Sequence, residues 1–69
     1  PMNQDQARER MRVCRDQLKL AIHHADVMVS GTPITPESMT SLWQIAGKAH
    51  GLINALKSEV SGNEPPKVG

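Results

Sequence analysis

The sequence has no phenylalanine and no tyrosine, and Trp43 is its sole aromatic residue. Single-stranded nucleic acid is held largely by stacking bases on aromatic faces, so that mode of binding has little to work with. Cys14 is equally alone, which excludes an intramolecular disulfide and suits a reducing, cytoplasmic setting. No run approaches the ~18 apolar residues of a membrane span, and the charged start leads into no apolar stretch of the signal-peptide kind. An excess of one charge is missing too. Eight Lys and Arg stand against seven Asp and Glu, a net of +1, far from the basic balance of a dedicated nucleic-acid binder. Pro1 ahead of Met2 has the look of a residue left by tag removal, which makes Met2 the expected natural start.

What is present is heptad periodicity. Ala7, Met11, Cys14, Leu18, Ala21, Ala25 and Met28 recur at steps of four and three, the apolar stripe of a helix over about 3–29. Ser30-Gly31 supplies a stop, with glycine at the usual place after a helix. The prolines at 33 and 36 stiffen the turn 30–35. Thr35 is then a good N-cap, Pro36 suits the first helical position, Glu37 adds first-turn negative charge, and Ile34 with Met39 has the spacing of a hydrophobic staple. A second stripe, Met39, Leu42, Ala46, Ala49, Ile53, Leu56 and Val60, runs through a helix over about 36–61. The expected fold is all-α: an antiparallel two-helix hairpin over 1–61, followed by a disordered tail at 62–69 whose Pro65-Pro66 segment has nothing to pack. Its register pairs Met28 with Met39, Cys14 with Ile53 and Ala7 with Val60, and brings His24 near Trp43.

Such a hairpin is short of cover. A 69-residue chain buries only about 60% of the surface it exposes when unfolded, and chains of this size lean on disulfides, metals or oligomers. Val13, Leu20 and Val27 form a further apolar row on the first helix, and Ile45 and Leu52 flank the stripe of the second, as do Ile22, Val29 and Trp43. These residues predict a homodimer, closed as a four-helix bundle, with Val13, Leu20, Val27, Ile45 and Leu52 at its interface. Scattered surface apolar residues are the alternative. Gly47 and Gly51, four apart inside the second helix, each cost about 1 kcal/mol relative to alanine. They mark either a close helix approach or an unoptimised surface.

Catalytic chemistry is not expected. His23 and His24 point about 100° apart on a helix, neither has a Cys, His, Asp or Glu four residues away, and the register leaves His50 about level with Gln17. Cys14 sits in the core stripe as a small hydrophobe. No phosphate-cradling glycine loop, paired carboxylates or serine beside a base are present, so neither enzyme activity nor a cofactor or metal is expected. Charge does cluster on the first helix. Arg8, Arg12, Arg15 and Lys19 lie along one side and admit three readings: a solvated face supported by pairs such as Arg12 with Asp16, a contact for an acidic protein surface, or a phosphate reader. Trp43 either completes a bundle core or anchors a partner.

The polar start through Asp5, the Ser/Thr-containing turn from Ser30 to Thr35, and the run from Trp43 through Ala46 to Leu56 resemble small phage-encoded helical-hairpin inhibitors of host proteins, in particular the quorum-sensing anti-activator family. That resemblance implies a homodimer that sequesters a larger bacterial host protein, such as a regulator or motor. The layout is also similar to the plasmid RNA-binding Rop family, which implies RNA binding by the first helices, here through the arginine run. The expected function is therefore a cytoplasmic, non-enzymatic protein-binding module. Its contact surface would combine Arg8, Arg12, Arg15 and Lys19 with Trp43, Gly47 and Gly51, and a nucleic-acid or nucleotide-binding dimer is the alternative.

Overall fold

The computed structural model describes residues 2–62. The tail expected at 62–69 lies outside the described residues except for Gly62. Two helices pack against each other, α1 over Gln4–Val29 and α2 over Pro36–Val60. No helix among the described residues is long and apolar enough to cross a membrane.

Local chemistry sets the helix ends. Asn3 caps α1: its side chain accepts from the Gln6 backbone N–H while the Gln6 side chain accepts from the Asn3 N–H. Thr35 and Ser38 form the same reciprocal box at α2, with Pro36 inside the first turn. At the end of α1 the Gly31 N–H donates to the Met28 carbonyl and the Thr32 N–H to the Val27 carbonyl. This is a Schellman ending, and it requires the positive φ of +129° that Gly31 adopts. Ile34 and Met39, spaced as a staple, both remain exposed.

The helices run antiparallel. Arg10 near the start of α1 forms an ion pair with Glu59 near the end of α2, and Ala7 and Met11 share a groove with Ile53, Leu56 and Val60. The contact line itself differs from the expected stripe. Cys14, 2% exposed, and Ala49, 1% exposed, are the most buried residues, joined by Met28 and Leu56. Met11 and Leu18, placed in the seam by their spacing, are 51% and 41% exposed, and Met39, Ala46 and Val60 are exposed as well. Arg10, Gln17 and His24 are instead half-buried. The reason is steric and geometric. With one neighbour, each helix hides only a narrow strip. Small side chains at Cys14 and Ala49 let the helices approach, so bulkier residues straddle the strip. Arg10 and Gln17 cover its other edge with their aliphatic stems.

The described structure is one helix thick, 10 Å along its shortest axis. Among the described residues no third element covers either side, and two broad faces stay open to solvent.

Candidate functional site

The two faces can be assigned residue by residue from the helical repeat of 3.6, anchored by the two cross-helix contacts. The side that carries the Arg10–Glu59 ion pair also carries Val13, Leu20 and Val27 from α1 and Ile45 and Leu52 from α2. Val13 and Leu20 are exposed, and Val27, Ile45 and Leu52 are half-buried. All five residues expected at a dimer interface therefore lie on one side, here called the Leu20 face. Its charges are mixed: Arg10 is paired with Glu59, and Lys48 borders it on α2 while Glu9 and Asp16 border it on α1.

The opposite side is the Met11 face. Met11, Leu18 and Ile22 contribute from α1, and Met39, Ile53 and Val60 from α2; all but the half-buried Ile53 are exposed. A groove lined by Ala7, Met11, Ile53, Leu56, Lys57 and Val60 runs between the helices at the open end of the hairpin. Sequence spacing assigned several of these residues to the seam and so concealed this surface.

The arginine run borders the Met11 face. Arg8, Met11, Arg12 and Arg15 line a single depression, with Lys19 one turn beyond Arg15. Each arginine has an acidic neighbour within its own helix. Arg8 lies 3.9 Å from Asp5, Arg12 pairs with Glu9, and Arg15 reaches Asp16 at 3.2 Å. The expected Arg12–Asp16 support is replaced because Arg15 folds back onto Asp16 while the longer Glu9 carboxylate reaches Arg12. Since more than half of every one of these side chains is exposed, the pairs are screened and worth about 0–1 kcal/mol each. The guanidinium groups stay available to a partner. Lys19 makes no ion pair among the described residues.

Trp43 is 74% exposed and lies on the outer border of the Met11 face. It is thus no part of the core of the hairpin. His24, expected beside it, is half-buried on the other side of the seam. Gly47 and Gly51 sit on the outer edge of α2, where an added Cβ at either position would meet nothing within 4 Å. Close packing inside the hairpin therefore does not account for them.

Cys14 is buried and free. Among the described residues no group of three or more His, Cys, Asp or Glu is placed to hold a metal ion. The arrangement offers two extended surfaces of different charge character. No protein-family model, curated protein or solved structure matches the chain.

Proposed function

We infer that this chain is a non-enzymatic protein-binding module of the cytoplasm. It associates with a second copy through the Leu20 face, closing a four-helix bundle, and sequesters a larger host protein through the arginine-bordered side. The observation that carries this reading is the exposure of large apolar side chains on both sides of a single helical layer. Contiguous apolar surface of that kind marks interaction sites, and a layer with two such sides has room for two separate contacts. The Leu20 face suits a copy of itself, since its charges are already paired or balanced in sign. The resemblance to small phage-encoded helical-hairpin inhibitors supports the same picture. In it, Arg8, Arg12, Arg15, Lys19, Trp43, Gly47 and Gly51 contact the host protein.

The test is molar mass by light scattering across a dilution series, with helicity followed by circular dichroism on the same samples. A dimer that loses helix as it dissociates is the expected result. A well-folded monomer at all concentrations overturns the self-association. Reversing charge with Arg12→Glu and Arg15→Glu is expected to abolish host-protein binding while leaving mass and helicity unchanged.

The depression formed by Arg8, Met11, Arg12 and Arg15 favours one second reading, a Rop-like dimer that binds nucleic acid or nucleotide. Its signature is affinity that falls steeply as salt rises and the entropic gain from releasing counterions shrinks. Binding indifferent to salt counts against it.

A further inference from the structure

Two antiparallel helices lying side by side leave a groove along each face, and the two grooves differ in charge. On the Met11 face, the outward rows of both helices carry Arg8 and Arg15 on α1 and His50 and Lys57 on α2. α2 places no Asp or Glu on this side, and α1 places one, the exposed Asp26, in line with Arg8 but five turns along, at the turn end. The ion-pair partners of Arg8 and Arg15, Asp5 and Asp16, lie outside it, on the outer edge and far side of α1. The Leu20 face, by contrast, holds the Arg10–Glu59 pair and borders of both signs.

The charge is also graded along the groove. In the antiparallel register Arg8 is about level with Lys57 and Arg15 with His50, one heptad further on, so the open end of the hairpin is bordered by a cation from each helix, Arg8 and Lys57, with Arg15 following on α1. Another heptad toward the turn, Ile22 is about level with Trp43, and there the cations give way to apolar side chains, with Asp26 one turn beyond. A second copy seated on this face would bring its own cations into the same confined space, and like charges at an interface oppose association. An acidic helix offers several carboxylates to those cations, whereas a copy of the chain offers Asp26 alone from this face.

We propose that the Met11 face seats one amphipathic helix of a different protein, with carboxylates at the end over Arg8, Arg15, His50 and Lys57 and an apolar end over Ile22 and Trp43. This names the chemistry of the host protein in the reading above and rests on that reading. A third helix is the element that fills a groove between two others. The apolar row from Met11 to Val29 spans 18 residue steps, about 27 Å of helix, so five turns of a partner match it. Met11 and Met39 are unbranched and adapt to the side chains laid against them. Exposed Trp43 supplies the anchor that interfaces favour.

The experiment uses the full chain and tryptophan-free synthetic helices of 18 residues, each with leucine along one side. One carries glutamates flanking the leucines in half its length, and its sister carries lysines there. Trp43, the sole tryptophan, reports binding by fluorescence. The acidic helix is expected to saturate the signal and the lysine helix to bind about tenfold more weakly or worse. In the Arg15→Glu, Lys57→Glu variant, which circular dichroism should show equally helical, that order is expected to reverse. Equal binding of the two helices, or binding of neither, overturns the proposal. Binding of phosphatidylserine vesicles or duplex RNA with neither helix bound does the same, and assigns the face to a lipid surface or to nucleic acid. Trp43 emission that shifts on dilution without any peptide, in step with molar mass, overturns it in favour of a second copy. If the chain is monomeric yet selects the acidic helix, only the self-association fails. If it is dimeric and selects neither, only this proposal fails.

Discussion

The two sides of the hairpin have similar apolar content and opposite use of charge. On the Leu20 face the cation Arg10 is matched by Glu59 from the other helix. On the Met11 face the cations come from both helices and no carboxylate answers them across the groove. Apolar area alone therefore does not tell a self-contact from a contact with a stranger; the neighbouring charges do. A surface that meets its own copy must be self-complementary, whereas one that meets a different protein is free to carry a single sign.

The sharpest way to break this comparison is a pair of matched substitutions, Leu20→Glu and Leu18→Glu. A carboxylate forced into a desolvated contact costs on the order of 3 kcal/mol, roughly 100-fold in the dimer constant. Leu20→Glu is therefore expected to give a monomer by light scattering, and Leu18→Glu to leave the mass unchanged. If both dissociate the dimer, the two faces are not separate surfaces. A smaller effect is expected from Trp43→Ala. It should weaken binding of the acidic helix by about 2 kcal/mol while changing thermal stability by less than about 0.5 kcal/mol, because the side chain is mostly exposed.

Gly47→Ala and Gly51→Ala probe the edge where the two faces meet. With open space at both positions, each alanine is expected to raise the unfolding free energy by about 1 kcal/mol in denaturant titrations. A loss of dimer or peptide affinity instead would place that edge inside an interface. The smallest expected effect concerns the ion pair that separates the faces. A double-mutant cycle on Arg10 and Glu59, both partly exposed, should yield a coupling of about 0.2–1 kcal/mol that weakens in salt. Zero coupling would remove the charge balance that sets the Leu20 face apart.

The helix ends were legible because they depend on local chemistry. Thr35 before Pro36 and Gly31 after Ser30 act through neighbours a few residues away, and any fold that includes the helices must satisfy them. Ser38 was missed as the second half of a capping box, since the usual signature at that position is Glu or Gln and a serine hydroxyl does the same work here. The contact line was misplaced by a fraction of a turn for a different reason. Apolar residues on α1 occupy three adjacent rows, Val13-Leu20-Val27, Ala7-Cys14-Ala21-Met28 and Met11-Leu18-Ala25, and the middle row faces α2. Adding Met11 and Leu18 to the seam moved its centre toward one side. The width of the apolar arc held the correct answer, which is its midpoint.

The candidate surfaces were legible in part for the same reason. The residues expected at a dimer interface, Val13, Leu20, Val27, Ile45 and Leu52, share one side of the hairpin because their spacing keeps them in phase on each helix, and phase can be read from spacing. The Met11 groove could not be found that way. Its existence depends on which row the partner helix covers, and that choice rests on how closely Cys14 and Ala49 allow two backbones to approach.

A layer one helix thick has no amide that is shielded by depth. Beyond the first turns, which are capped by Asn3 and Thr35, each backbone N–H in α1 and α2 is guarded by its own helical hydrogen bond and little else, so opening a few turns of one helix frees its protons to exchange with solvent. Hydrogen exchange in this molecule would then follow the extent of assembly. Amides of Val13, Leu20 and Val27 should slow as copies associate, those of Met11 and Leu18 should slow further only when a partner helix is laid over them, and the order in which they become protected would record the order of binding.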